Sequence, residues 1–439
     1  MISEKIKYIK RPENLLFLLV FFPVLPFGVS TILVILFVVA SLIFNYKNIN
    51  ENYNNGALIP FLKHTIFVLV LIFSLIYSSN FSKGIEEIRK ILPLILLPFV
   101  FFFCYKNQIK KKIPVILNTF VFANLIYIIY LYNFIVLKLS PYKEFGFRNE
   151  IYPVKFVKSF FIPFNKILLK AIHVQYQPPS LMFHKAYMSM FVLFSIFILV
   201  YQFSKTKKKM FKLVSVLLIF LFLVVLIHWF SMPNIFVLGL MSVLFVFKFL
   251  NKKIIFIGAL VVSGILLIAS PFIKSKLNSN SIFNVNYNQV TQFIKNTFSD
   301  SDKDLSGRAA INKCSIKLVK DSPLLGYGLG AANDVLLDCY EDSNFTSELK
   351  GKLNSHNNYF HLYLSGGILA LLAFIYLIIN GISVSKNSFL YLSFLVVIVV
   401  NMGFENILYR SHGILFFSIF NTMLYFFVKE ENQNNYKWN

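Results

Sequence analysis

Long apolar runs recur along this chain, and they constrain its fold more than any other feature. Each is about 17–25 residues, the length of α-helix needed to cross the hydrocarbon of a bilayer. Short basic clusters separate them. Hydrophobic residues make up 57% of the 439 and charged residues 14%, where a soluble domain carries about 25% charged residues. Mean hydropathy is +0.67. The expectation is an all-α, polytopic helical membrane protein with about twelve spans. The runs lie at 15–28, 30–45, 61–79, 91–105, 113–138, 181–203, 211–230, 233–250, 254–272, 358–381, 388–404 and 412–428. The first two are short and joined at Pro26-Phe27-Gly28, so they also read as one broken or re-entrant pair.

Orientation follows from the short loops, where Lys and Arg mark the cytoplasmic side. Basic clusters lie at Lys5–Arg11, Lys106–Lys112, Lys205–Lys212 and Lys248–Lys253. With the N-terminus inside, all four fall on the cytoplasmic side. Two long loops then face out. Residues 139–180 are basic, and long loops are exempt from the charge rule. Residues 273–357 lie between spans nine and ten, have nearly balanced charge, and contain a helical-looking stretch at 307–320. The chain divides into nine spans at 1–272, the large external loop at 273–357, and three further spans with a cytoplasmic tail at 358–439. No internal repeat and no cleavable signal sequence is evident.

A net charge of +24 would suggest nucleic acid in a soluble chain. Here topogenic loops and a basic surface for an anionic substrate account for it, and no nucleic-acid partner is expected. Cys104 lies near the cytoplasmic end of a span. Cys314 and Cys339 share the large loop. In an oxidising compartment they can pair; their spacing allows a bridge without requiring one.

Four stretches hold residues able to do chemistry. In "LNSHNNYFHLYLSGG", His356-Asn357-Asn358 sits where a polar segment meets an apolar helix. A polar collar explains it, with Asn as helix cap and Tyr in the interfacial belt. A general base explains it too, since histidine titrates near neutral pH. A metal site is disfavoured: His356 and His361 point about 140° apart on a helix, and no HExxH pattern is present. In "SGRAAINKCSIKLVKDSPLLGYGLG", Arg308 opens a helix and Gly326, Gly328 and Gly330 follow a proline. Alternating glycines can expose amides as an anion-binding nest, or can simply make a turn. In "GFENILYRSHGILFF", Glu405 and Arg410 occupy a short external turn, as a functional pair or as a stapling ion pair. In "SLMFHKAYMSMF", Lys185 and Tyr187 suit an interfacial belt.

Taken in order, these blocks resemble the O-antigen ligase/polymerase family. "DSPLLGYGLG", with Arg308 upstream, is similar to its Pro-Leu-Leu-Gly-x-Gly-x-Gly block. "SHNNYFHLYLSGGILALL" is similar to its His-Asn-x-Tyr/Phe-Leu block. The similarity lies mainly within 181–420. The resemblance implies a GT-C-like membrane glycosyltransferase that needs no metal or other cofactor. Its donor would be a glycan on undecaprenyl pyrophosphate, its acceptor lipid A-core or another glycan, and its site would face the periplasm from the inner membrane. His356 and Arg308 carry over as the essential pair. Asn357, Gly326, Gly328, Gly330, Lys185, Glu405 and Arg410 are the expected substrate-binding set. One departure stands out. Many members have Ser-Arg at the outer end of the seventh span, where this chain has Ser231-Met232. Lys185, Arg410 or the basic 139–180 loop would supply the second cation. A transporter of lipid-linked glycans is the rival class, but such proteins place ionisable groups mid-span, and these spans are nearly free of them.

Overall fold

The computed structural model describes residues 12–105, 112–138, 185–229, 231–249, 307–322, 324–386 and 388–436. The expected span 254–272, the basic loop 139–180 and the start of the large loop at 273–306 lie outside the described residues. Every regular element among the described residues is helical. In chain order they are α1 (Glu13–Val20), α2 (Phe27–Asn54), α3 (Leu58–Phe73), α4 (Phe81–Ile91), α5 (Pro93–Phe99) and α6 (Ile113–Lys138). There follow α7 (Lys185–Lys205), α8 (Lys209–Trp229), α9 (Met232–Phe249), α10 (Arg308–Asp321) and α11 (Ala332–Asp342). The last are α12 (Thr346–Lys350), α13 (Asn358–Ser385), α14 (Phe389–Met402) and α15 (Ser411–Tyr436).

Among the described residues, seven helices are long and apolar enough to cross a membrane: Phe27–Asn54, Leu58–Tyr77, Ile113–Leu131, Ala186–Lys205, Lys209–Ile227, Asn358–Ser385 and Ser411–Val428. Met232–Phe245 and Phe389–Met402 are shorter apolar helices. The chain is therefore a polytopic helical membrane protein. Two expected spans take a different form. The 15–28 run makes only the eight-residue α1, about 12 Å long, before a turn containing Pro23 and Pro26 leads into α2. The 91–105 run makes α5 and a π turn over Val100–Cys104, with Pro98 inside the helix. Proline supplies no N–H there and shifts the register. Two carbonyls at this turn find other donors: Asn48 and Asn52 of α2 reach Cys104 O at 3.1 Å and Phe103 O at 2.7 Å.

The bundle centre is aromatic. Phe120 of α6, Phe191 and Phe194 of α7, Phe394 of α14, and Phe416 and Phe420 of α15 interlock. All six are fully buried. Lipid supplies no hydrophobic drive between spans, so close packing of such rings supplies much of the association.

Segments expected on the external side meet at one end of the bundle. There α10 and α11 pack through Ala310, Ile311, Cys314, Leu318, Leu336 and Tyr340. The Cys314–Cys339 disulfide joins them, with a Cα–Cα distance of 5.8 Å. Leu364 of α13 belongs to this second core. Through Leu364 the first turns of α13 reach the loop helices, while Leu362 and the later turns pack with the bundle.

Between those two parts α13 breaks. Gly366 (φ −132°) and Gly367 (φ +66°, ψ −162°) leave the helical region. In an unbroken helix the Ile368 N–H would bond the Leu364 carbonyl. Here the chain at 324–327 is inserted between them: Ile368 N–H donates to Leu324 O at 3.1 Å, and Tyr327 N–H donates to Leu364 O at 2.7 Å. Only glycines fit this wedge. A Cβ on Gly367 would lie 2.0 Å from Leu324 O, and one on Gly326 would lie 2.5 Å from Tyr363 O.

Candidate functional site

The Ser-His-Asn-Asn stretch builds a shaped turn, and each polar group in it has a task. Asn357 caps α13: its Oδ1 accepts from the N–H groups of Tyr359 (3.0 Å) and Phe360 (3.3 Å). His356 adopts φ +42°, a left-handed conformation that a non-glycine residue rarely takes. Its N–H donates to Asn354 Oδ1 at 3.0 Å. Ser355 Oγ lies 3.0 Å from the Asn357 carbonyl and 3.1 Å from Asn406 Oδ1. This geometry brings the His356 ring to the 403–410 turn, where Nδ1 is 3.3 Å from Glu405 Oε1. Glu405 is almost buried and His356 is half-buried. A carboxylate only accepts hydrogen bonds, so Glu405 favours the tautomer with the proton on Nδ1. That leaves Nε2 as the ring's proton acceptor.

Arg308 reaches the same turn from α10. Its Nη2 donates to Phe404 O at 3.1 Å, and the guanidinium lies 5.8 Å from the Phe404 ring centroid. Arg308 and His356, 48 positions apart in sequence, therefore reach adjacent residues, Phe404 and Glu405. Arg308 remains exposed, with further N–H donors for an anion. Glu405 thus takes a histidine partner that the sequence did not suggest.

The turn is held from several directions. Leu408 N–H donates to Asn358 Oδ1 at 2.7 Å, and the Tyr187 hydroxyl donates to Asn406 O at 3.1 Å. The Tyr409 hydroxyl donates to Glu87 Oε1 at 2.8 Å and accepts from Asn333 Nδ2 at 2.7 Å. Burial, and then the Glu87 carboxylate, hold the Tyr409 phenol above its ordinary range, so it stays a donor. Lys90 Nζ donates to Glu87 at 2.8 Å. Sequence reading passed over α4, which supplies Glu87 and Lys90. The available signals were Asn80, whose Oδ1 caps the helix by accepting from Lys83 N–H at 3.1 Å, and the amphipathic stretch "FSKGIEEIRKI".

Other expected positions have different roles. Three amides in the glycine block, those of Tyr327, Leu329 and Gly330, donate to protein acceptors. Tyr327 N–H is taken by Leu364 O. Leu329 N–H donates to Ser74 Oγ at 3.1 Å and Gly330 N–H to Ser78 Oγ at 3.2 Å. A Cβ on Gly328 would meet Ser78, and one on Gly330 would lie 1.9 Å from Asn80 O. The three glycines let the loop approach α3, α4 and α13 closely. Lys185 is the first residue of α7, beside Tyr187. Arg410 is exposed at the far end of the turn. Where the resemblance led us to expect an arginine, Met232 is exposed. Beside it, buried Ser231 accepts from Asn234 Nδ2 at 2.9 Å. Asn234 and Asn401 exchange amide hydrogen bonds at 3.1 and 2.9 Å, locking α9 to α14.

With this geometry in place, comparison with known proteins is informative. Residues 230–375 match a family model described as O-antigen ligase. The match covers α9, α10, the glycine block, His356 and the break in α13. No curated protein matches the chain.

Proposed function

From the premise that residues 230–375 carry a domain of the O-antigen ligase family, we propose that the chain is a membrane glycosyltransferase of the ligase type. It moves a glycan from undecaprenyl pyrophosphate to an acceptor hydroxyl, lipid A-core in the ligase case. The reaction takes place at the outer face of the inner membrane. The observation that carries this reading is the meeting of the His356–Glu405 pair and Arg308 at the adjacent residues Phe404 and Glu405.

In this reading His356 Nε2 takes the proton of the acceptor hydroxyl as the oxygen attacks the sugar C1. The bond from C1 to the pyrophosphate oxygen breaks, and the electron pair leaves with the pyrophosphate. Glu405 holds the ring in the productive tautomer and offsets the charge it gains, the part played by the orienting carboxylate in triads. Arg308 meets the negative charge that develops on the leaving group, in the forked geometry that suits phosphate. Arg410 and Lys185 are the candidates for the second cation. Asn357 contributes by capping α13 and so aiming His356.

The test has two parts. His356→Ala and Arg308→Ala proteins, inserted at normal levels, should lose glycan transfer in proteoliposomes supplied with a lipid-linked donor. Full activity in either removes that residue's role. Gene deletion then identifies the branch. Loss of long glycan from lipid A-core, with lipid-linked polymer accumulating, indicates a ligase. Core bearing a single repeat, with the ladder gone, indicates a polymerase. An unchanged profile of both pools overturns the transfer reading and returns the rival transporter.

A further inference from the structure

The glycine block has a feature that the site does not use. Its backbone is buried in the break of α13, yet Leu324 and Leu325 point outward, 68% and 53% exposed. Two adjacent leucines exposed to this degree, outside any helix, are unusual where everything behind them is packed. Their neighbours share the property. The Tyr77 hydroxyl donates to Leu325 O at 2.7 Å, and Tyr77 ends the Leu58–Tyr77 span. Phe73 and Ile76 at the end of that span are exposed, as is Leu369, one residue past the Ile368 N–H that bonds Leu324 O. These are exposed apolar positions on two helices that are long and apolar enough to cross a membrane. The leucine pair therefore extends an exposed apolar surface of these helices.

The break in α13 marks where that surface begins. Before it, Leu364 packs into the core of α10 and α11. After it, Leu369 and Leu372 face outward. Backbone irregularity is tolerated near hydrocarbon only when its polar groups are satisfied by protein. The wedge meets that demand, since Leu324 O and Tyr327 N–H bond the two groups that the break frees.

We infer that Leu324 and Leu325 enter the hydrocarbon of the bilayer, so that the loop between α10 and α11 is a membrane-inserted wedge anchoring the disulfide-linked helices at the site's end of the bundle. The occupant of this surface is lipid acyl chain. The inference is independent of any reaction assigned to the site.

Depth-resolved fluorescence tests it. Trp229 and Trp438, the only tryptophans, are replaced by phenylalanine. Leu324→Trp, and separately Leu325→Trp, are placed in that background and reconstituted in phosphatidylcholine vesicles. Brominated phosphatidylcholine should quench most of the emission at either position, while aqueous iodide should leave it nearly unchanged. Lys350→Trp, on exposed α12, should show the reverse. Quenching of both 324 and 325 probes by iodide but not by bromolipid overturns the inference. Protection of both probes from both quenchers also overturns it, because that pattern means that protein, such as a second copy of the chain, covers the pair.

Discussion

Gly367→Ala should loosen the wedge, and the structure allows its cost to be worked out. Gly367 sits at φ +66° and ψ −162°, a region essentially restricted to glycine; a side chain there costs about 1–3 kcal/mol. Its Cβ would lie 2.0 Å from Leu324 O and 2.5 Å from Leu325 C. Both are backbone atoms, so the 324–327 loop must move. That breaks the Ile368–Leu324 and Tyr327–Leu364 hydrogen bonds, each worth about 1 kcal/mol. The total is about 3–5 kcal/mol of local stability. Since about 1.4 kcal/mol is tenfold in an equilibrium, amides in this region should exchange roughly a hundredfold to a few thousandfold faster. Hydrogen exchange with mass spectrometry in nanodiscs reads this in peptides covering 324–330 and 363–369. Gly239→Ala is the control: no atom lies within 4 Å of its Cβ, and it should gain about 0.5–1 kcal/mol as a helix-interior substitution. Unchanged exchange in both wedge segments of Gly367→Ala would refute the account of the broken helix.

Two further perturbations test what surrounds the site. Cys339→Ser removes a bridge across 25 positions and should destabilise the α10–α11 pair by about 3–4 kcal/mol; limited proteolysis within 307–345 should accelerate in step, and resistance equal to wild type would rule out a stabilising role. Tyr409→Phe keeps the ring but leaves Glu87 and Asn333 without their shared hydroxyl, at about 1–3 kcal/mol. A lower midpoint in thermal scanning is expected, together with reduced transfer because the Glu405 turn is less firmly held. A variant with normal stability and normal transfer would show that this network does not support the turn.

Much of the candidate site was legible in the sequence because the residues proposed to carry its chemistry are of rare types. In a chain with so few charges, Arg308, His356 and Glu405 stand out wherever they fall. The α10 helix could be read at 307–320 because Ala310, Ile311, Cys314 and Leu318 recur at helical spacing. Glu87 was missed because α4 is short and its charges resemble a loop. Its value lies in contact with Tyr409, which is 322 positions away. The glycine block stayed open in the sequence for a similar reason. Alternating glycines are compatible with a nest or with close packing, and only the acceptors around them decide between the two.

By itself, the sequence determined the class of the protein. Apolar runs of membrane-crossing length admit helices in a bilayer, and short-loop lysines predicted which segments would share a side. Tertiary structure decided what each polar residue does. It turned the two amides of the His-Asn-Asn triplet into a helix cap and an anchor for the 403–410 turn, and it paired Glu405 with His356. It also used "PLLGYGLG" to fill the break at "SGG". The physical reason is one of range. Hydrophobic transfer is a property of each segment alone, whereas a hydrogen bond is set by the position of a partner that the chain brings from far away.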